Sequence, residues 1–113
     1  MESRDKQILD LAMEAGKTLL DAGAEIFRAE ETIQRIVKAY GIEKSNAFVM
    51  STGIFLTAEN KGQEIYAQVR HIPINSARLN TVAAVNQLSR EIVEGRYKVE
   101  EAWERLEAIK NMP

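Results

Sequence analysis

The sequence predicts one α+β domain, with two helices, three antiparallel strands and two more helices in the order ααβββαα. Three observations carry this prediction. Apolar residues recur every three or four positions near both ends of the chain, which is typical of amphipathic helices. Between these segments the pattern changes to short apolar runs and strict alternation, which is typical of strands. The 113 residues suffice for one ordinary domain, so we assign the whole range 1–113 to it.

The first two helices are predicted over about 4–20 and about 24–40. The first has an apolar stripe around about half of its circumference, and the second has one narrower apolar face. Gly16 lies near the middle of the first helix, where the missing side chain would let another backbone come close. The segment Asp21–Gly23 ends that helix. Because this connection is so short, the two helices should form an antiparallel hairpin.

Three strands are predicted over 47–50, 54–57 and 63–70. The first two are apolar runs rich in β-branched or aromatic residues, and the third alternates between apolar and polar residues. Turns are predicted at Ser51–Gly53 and at Asn60–Gly62. Together these features predict a three-stranded antiparallel sheet.

The third helix, predicted over 75–94, is apolar on two opposite sides. Because a helix with two apolar faces is buried on both, we expect it between the sheet and the helical hairpin, or at a subunit contact. A final helix follows over about 99–109, with Trp103 as its anchor in the core. The two apolar sectors of the third helix are Ala77, Ala84, Val85, Leu88 and Ile92, and Leu79, Val82, Ala83 and Val93.

Composition excludes several classes of function. A net charge of −2 and a pI near 5.5 argue against nucleic-acid binding, which usually needs a basic surface. The absence of cysteine excludes disulfides, thiolate metal sites and a cysteine nucleophile, and a single histidine excludes His-rich metal sites. We therefore expect no metal and no cofactor. The longest uncharged stretch, 45–58, is shorter than the roughly 20 residues of a membrane-spanning helix, and no signal peptide is recognisable, so we expect a soluble, cytosolic polypeptide.

Five polar residues are candidates for binding a small ligand. Glu25 lies near the start of the second helix, where the helix dipole favours an anion. Ser51 and Thr52 place two hydroxyls in the most apolar part of the chain. Arg78, one turn beyond a cap at Asn75 or Ser76, could form a carboxylate or phosphate pocket. Asn86 lies inside an apolar sector and needs a hydrogen-bond partner, either structural or from a ligand. The other four residues also have purely structural alternatives. Glu25 could be a helix-end carboxylate, Ser51 and Thr52 could belong to a simple turn, and Arg78 could be a surface arginine.

Seven segments form a recognisable pattern along the chain: Leu11–Leu20, Asp21–Glu25, Arg28–Thr32, Ser51–Phe55, Asn75–Leu79, Val85–Arg90 and Val99–Ile109. In their order and spacing, these segments resemble the N-terminal region of the threonine/serine exporter family. The resemblance spans nearly the whole chain.

The resemblance implies a hydrophilic cytoplasmic domain that precedes a bundle of transmembrane helices. Family members export amino acids such as threonine and serine, or dicarboxylates such as succinate. The expected partners are therefore transmembrane helices of the same chain or of a separate membrane subunit, with an amino acid or dicarboxylate as ligand. We expect an accessory domain that senses substrate or organises subunits. Because family members continue into the membrane beyond the position of Pro113, we expect an excised domain or a short stand-alone version.

Two other functions remain open. One is a small hydrolase that uses Ser51 or Thr52 as nucleophile with His71 as the base, because a hydroxyl needs a base to become nucleophilic. The other is an oligomerisation module, for which the doubly apolar third helix and Phe27, which lies off the buried stripe, are the motivation.

Overall fold

Four helices and a three-stranded antiparallel sheet follow one another in the predicted order. The computed structural model describes residues 3–70 and 77–112. The α+β prediction is confirmed. The elements are α1 (Arg4–Asp21), α2 (Ile26–Ala39), β1 (Lys44–Met50), β2 (Gly53–Asn60), β3 (Gln63–Arg70), α3 (Leu79–Val93) and α4 (Val99–Lys110).

Two tight hairpins build the sheet in the order β1–β2–β3. Met50 pairs with Gly53 and Asn60 pairs with Gln63, so each turn contains only two residues. In the second turn Lys61 and Gly62 have φ values of 53° and 81°, the left-handed conformation that a type I′ hairpin turn requires. β1 and β2 extend beyond the predicted apolar runs, because backbone hydrogen bonds continue the ladder through polar residues.

Helix α1 is the central element of the fold. It contacts α2, α3, α4, β2 and β3, and its apolar stripe is accordingly wide. The inner face of the sheet, with Leu56 fully buried, packs against α1 and α2. The buried residues of α1 are Ile8, Leu9, Leu11, Ala12, Met13, Ala15, Gly16, Thr18, Leu19 and Leu20.

The predicted position of α3 between the sheet and the hairpin was wrong. Within the described residues, α3 contacts α1, α2 and α4 but not the sheet, because α1 already covers that part of the sheet. One sector of α3 is buried, with Val85 and Leu88 at its centre. The other is largely open, and Leu79 is 77% exposed. A subunit contact through that sector stays a prediction.

Hydrogen bonds define a lower end of the molecule, where α1 begins and α2 ends. Arg4 Nη1 donates to the Tyr40 carbonyl oxygen at 3.2 Å. Asn60 Nδ2 donates to Asp5 Oδ2 at 2.9 Å, which brings the β2–β3 turn to the same end. Tyr40 Oη donates to the carbonyl oxygen of Tyr97 at 2.9 Å and adds the α3–α4 connection.

Because successive elements run away from the lower end and back toward it, the ends of α1 and β1 and the beginnings of α2, β2 and α3 lie at the opposite, upper end. We define the upper end as residues 22–25, 51–52 and 77–79. The first group is the α1–α2 turn, the second is the β1–β2 turn, and the third leads into α3.

The phenol of Tyr40 gives a test of the packing at the lower end. Burial, reinforced by the negative charge of Glu100, raises the pKa of Tyr40 to about 12. The phenol of an unfolded tyrosine has a pKa of about 10. Between pH values of about 10 and about 12, the folded state therefore binds the Tyr40 proton more tightly than the unfolded state does. We expect the free energy of unfolding to fall as the pH rises from about 10 to about 12.

Ultraviolet titration of the folded chain should therefore show a late phenolate step. Tyr40→Phe should abolish this step, whereas the control Tyr66→Phe should retain it. A late step that survives Tyr40→Phe would contradict the assignment.

Candidate functional site

Glu25 and Arg78 lie on adjoining segments of the upper end. Glu25 is the residue before the first turn of α2; it is exposed, and its carboxylate accepts no capping hydrogen bond. Arg78 holds the same position before α3 and is also exposed. Its backbone N–H donates to the Ala22 carbonyl oxygen at 2.9 Å, which ties the start of α3 to the α1–α2 turn.

The structure corrects the predicted start of α3. The helix begins at Leu79, so Arg78 precedes it instead of lying one turn inside. Asn75 and Ser76, which were predicted as caps, lie outside the described residues, as does His71. Arg78 therefore lies in the segment that leads into α3, at the upper end, and not within the helix.

Helices α2 and α3 run side by side in the same direction. The Ala22–Arg78 hydrogen bond links their beginnings, and Arg35 Nη1 donates to Ser89 Oγ at 3.1 Å farther along. Both N-termini therefore point to the upper end, where each contributes a partial positive charge. The upper end thus combines two helix N-termini, one exposed guanidinium and one exposed carboxylate.

Asn86 is not part of this group. It lies eight residues beyond Arg78, or about 12 Å along α3. The residue is only partly buried, because the apolar sector in which it was predicted to be enclosed is open to solvent. The backbone carbonyl oxygen of Asn86, not its side-chain amide, accepts a hydrogen bond from Ser89 Oγ at 2.9 Å.

Ser51 and Thr52 form the exposed β1–β2 turn at the upper end. Thr52 lines a shallow depression on the outer face of the sheet, together with Met50, Phe55 and Gln68. Within residues 3–70 and 77–112, neither hydroxyl forms a hydrogen bond with a side chain that could act as a base. The predicted base of the hydrolase alternative, His71, lies outside these ranges.

Sequence reasoning missed a row of aromatic residues on the outer face of the sheet. The ring centroids of Phe48 and Phe55 are 6.4 Å apart, and those of Phe55 and Tyr66 are 5.9 Å apart. We call Phe48, Met50, Phe55 and Tyr66 the aromatic face. The available signal was that the first two strands are apolar at consecutive positions, so both of their faces must be apolar.

The described residues contain neither a metal-binding cluster nor a membrane-spanning helix. No group of three His, Cys, Asp or Glu side chains in these ranges could hold a metal ion. None of the helices in the same ranges combines the length and apolar composition needed to cross a bilayer.

The linear pattern that produces this fold matches one protein family. A family model, ThrE, described as "Putative threonine/serine exporter", matches residues 10–113. The chain belongs to the threonine/serine exporter family. This confirms the resemblance seen in the sequence, and the matched range contains all five candidate residues of this exporter-family chain. Comparisons with curated proteins and with solved structures give no match.

Proposed function

We propose that this exporter-family chain is an accessory domain on the cytoplasmic side of the membrane and that it senses the exported amino acid at its upper end. The observation that supports this function is the pair of oppositely charged, exposed side chains on adjoining segments, Glu25 and Arg78. Threonine and serine carry an ammonium and a carboxylate on the same carbon. In this proposal, Arg78 binds the carboxylate and Glu25 binds the ammonium.

The same arrangement favours an amino acid over a dicarboxylate. The carboxylate of Glu25 repels the second negative charge of succinate, whereas it attracts an ammonium group. Ser51 and Thr52, at the same end, supply hydroxyls for the polar side chain of the ligand. Because the site is open to solvent, we expect a dissociation constant of about 1–10 mM.

Charge-neutralising variants test this function. Arg78→Gln should weaken threonine binding about tenfold, since a hydrogen bond to a charged group contributes about 1.5 kcal/mol or more. Glu25→Gln should weaken threonine binding by a similar factor and should not weaken succinate binding. The matched control is Arg90→Gln, which removes an exposed arginine that lies within α3, away from the upper end.

Calorimetric titration with threonine, serine and succinate provides the measurement. If Arg78→Gln and Arg90→Gln bind threonine equally well, Arg78 does not bind the carboxylate. If the unmodified chain binds none of the three compounds at about 10 mM, the sensing function is wrong.

Subunit organisation is a second candidate function. The observation that favours it is the exposed aromatic face, because large apolar side chains grouped on an open surface typically mark interaction sites.

A further inference from the structure

The two faces of the sheet differ in how they are covered. Helices α1 and α2 pack on the inner face, whereas none of the described elements covers the outer face. On that outer face Phe48 is 55% exposed and Tyr66 is 65% exposed. The aromatic face is therefore an apolar surface that no element in the described part of the chain covers.

Charged residues border the aromatic face at the lower end. Lys44 on β1 pairs in register with Glu59 on β2, and Glu59 pairs with Glu64 on β3. All three residues are exposed and belong to the outer face, because they share the strand alternation of Phe48, Phe55 and Tyr66. A cation thus occupies one edge strand, and an anion occupies the other edge strand at the same height.

This distribution is self-complementary under two-fold symmetry. Consider an axis that runs parallel to β2, midway between two sheets packed face to face. It places β1 of one copy over β3 of the other at the same height. Lys44 of each copy then faces Glu64 of the other, and Phe55 faces its own counterpart across the axis.

We infer that the aromatic face is a docking surface for a second copy of this chain, in the orientation that pairs Lys44 with Glu64. The other face-to-face arrangement has its axis perpendicular to the strands. It would place Lys44 against Met50 and Glu64 opposite the register position of Arg70, so the Lys44–Glu64 pairs would be absent and Lys44→Glu would not weaken that dimer. In the inferred arrangement Glu59, on the central strand, faces its own counterpart across the axis, and the two Lys44–Glu64 pairs on either side outnumber this one like-charge contact.

The size of the surface sets the expected strength of this contact. Three strands of about seven residues present roughly 350 Å² per copy, or roughly 700 Å² for the pair. Stable complexes of freely diffusing proteins bury about 1,200 Å² or more. A weak dimer is therefore expected, which suits copies that a membrane holds close together, at an effective concentration in the millimolar range. This last step rests on the proposed subunit-organising function, and none of the steps depends on solute binding.

Charge reversal tests the orientation. Lys44→Glu and Glu64→Lys should each weaken self-association about tenfold or more, because each creates two repulsive pairs across the axis. The double variant Lys44→Glu/Glu64→Lys restores both attractive pairs and should associate like the unmodified chain. Sedimentation equilibrium up to about 1 mM measures all four proteins in the weak-affinity range.

A pair of equally exposed apolar residues tests the surface itself. Phe48→Asp should abolish the dimer, whereas Val93→Asp, at a position that is also 55% exposed but lies on α3, should leave it intact. Both side chains project into solvent, so the fold should survive, and circular dichroism checks this.

Three results would overturn the inference. They are an unmodified chain that stays monomeric at about 1 mM, a dimer lost through Val93→Asp but not Phe48→Asp, and a charge-swapped double variant that fails to recover. Threonine binding can be titrated separately with the monomeric Phe48→Asp variant, because Phe48 does not belong to the upper end. Failure of the dimer and failure of amino-acid sensing are therefore distinguishable.

Discussion

Leu11→Ala is expected to lower the free energy of unfolding by about 3–5 kcal/mol. Leu11 is fully buried in α1, the helix that contacts the other three helices and the sheet. Truncation removes apolar contacts and leaves a cavity that packed elements on several sides cannot easily fill. Because a domain of this size is stable by only about 5–15 kcal/mol, the loss is a large fraction of the total.

Leu79→Ala is the matched control, because it makes the same chemical change in a helix. At 77% exposure, Leu79 loses little on truncation, and the free energy should change by less than about 0.5 kcal/mol. Urea denaturation at low protein concentration, followed by circular dichroism, measures both variants. Equal effects of the two substitutions would contradict the central position of α1 and the exposure of this sector of α3.

Gly16→Val is expected to destabilise the domain by about 2–3 kcal/mol through overpacking. A Cβ atom added at Gly16 would lie 2.5 Å from Ile33 Cδ1, 2.9 Å from Ile33 Cγ1 and 3.2 Å from Ile54 Cδ1. The neighbours are thus side chains from α2 and β2, not the backbone that the sequence predicted. Replacing glycine in a helix interior can gain about 1 kcal/mol of helix propensity. At Gly16 the steric overlap with Ile33 costs more than this gain.

Shortening the neighbour tests this cause directly. Ile33→Val removes the Cδ1 atom nearest to the added Cβ and should cost about 1 kcal/mol alone. The double variant Gly16→Val/Ile33→Val should be about 1 kcal/mol more stable than the sum of the two single effects predicts. Strict additivity in urea denaturation would show that the two positions do not compete for space.

Local patterns in the sequence predicted the element order well. The wide apolar stripe of α1, the alternation in β3 and the short turns are all signals that lie within a few residues of one another. The start of α3 was less accessible, because the Arg78–Ala22 hydrogen bond joins residues that are distant along the chain.

Burial of surfaces was harder to predict than the elements themselves. The two apolar sectors of α3 indicated that both of its sides could be buried. Hydrophobic periodicity does not identify which neighbouring element covers each side. α1 takes the central position instead, and its wider stripe was the relevant signal. The aromatic face was missed for a similar reason, because a run such as Ala47–Met50 shows no alternation that would separate an inner from an outer side.

The same difficulty applies to the candidate site. Helix-start chemistry identified Glu25 and Arg78 separately, and the topology places them at one end of the molecule. Asn86 was selected for its apolar surroundings, which turned out to be solvent-exposed. Proximity between distant segments is a property of the packed fold, so no local pattern could report it.

A nuclear magnetic resonance titration of the chain with threonine tests amino-acid sensing most directly. If the upper end binds the zwitterion, amide shifts will concentrate in the α1–α2 turn and the start of α3, and Arg78→Gln will greatly reduce them. Shifts that are absent at about 10 mM threonine, or that concentrate instead on the aromatic face, would contradict the account.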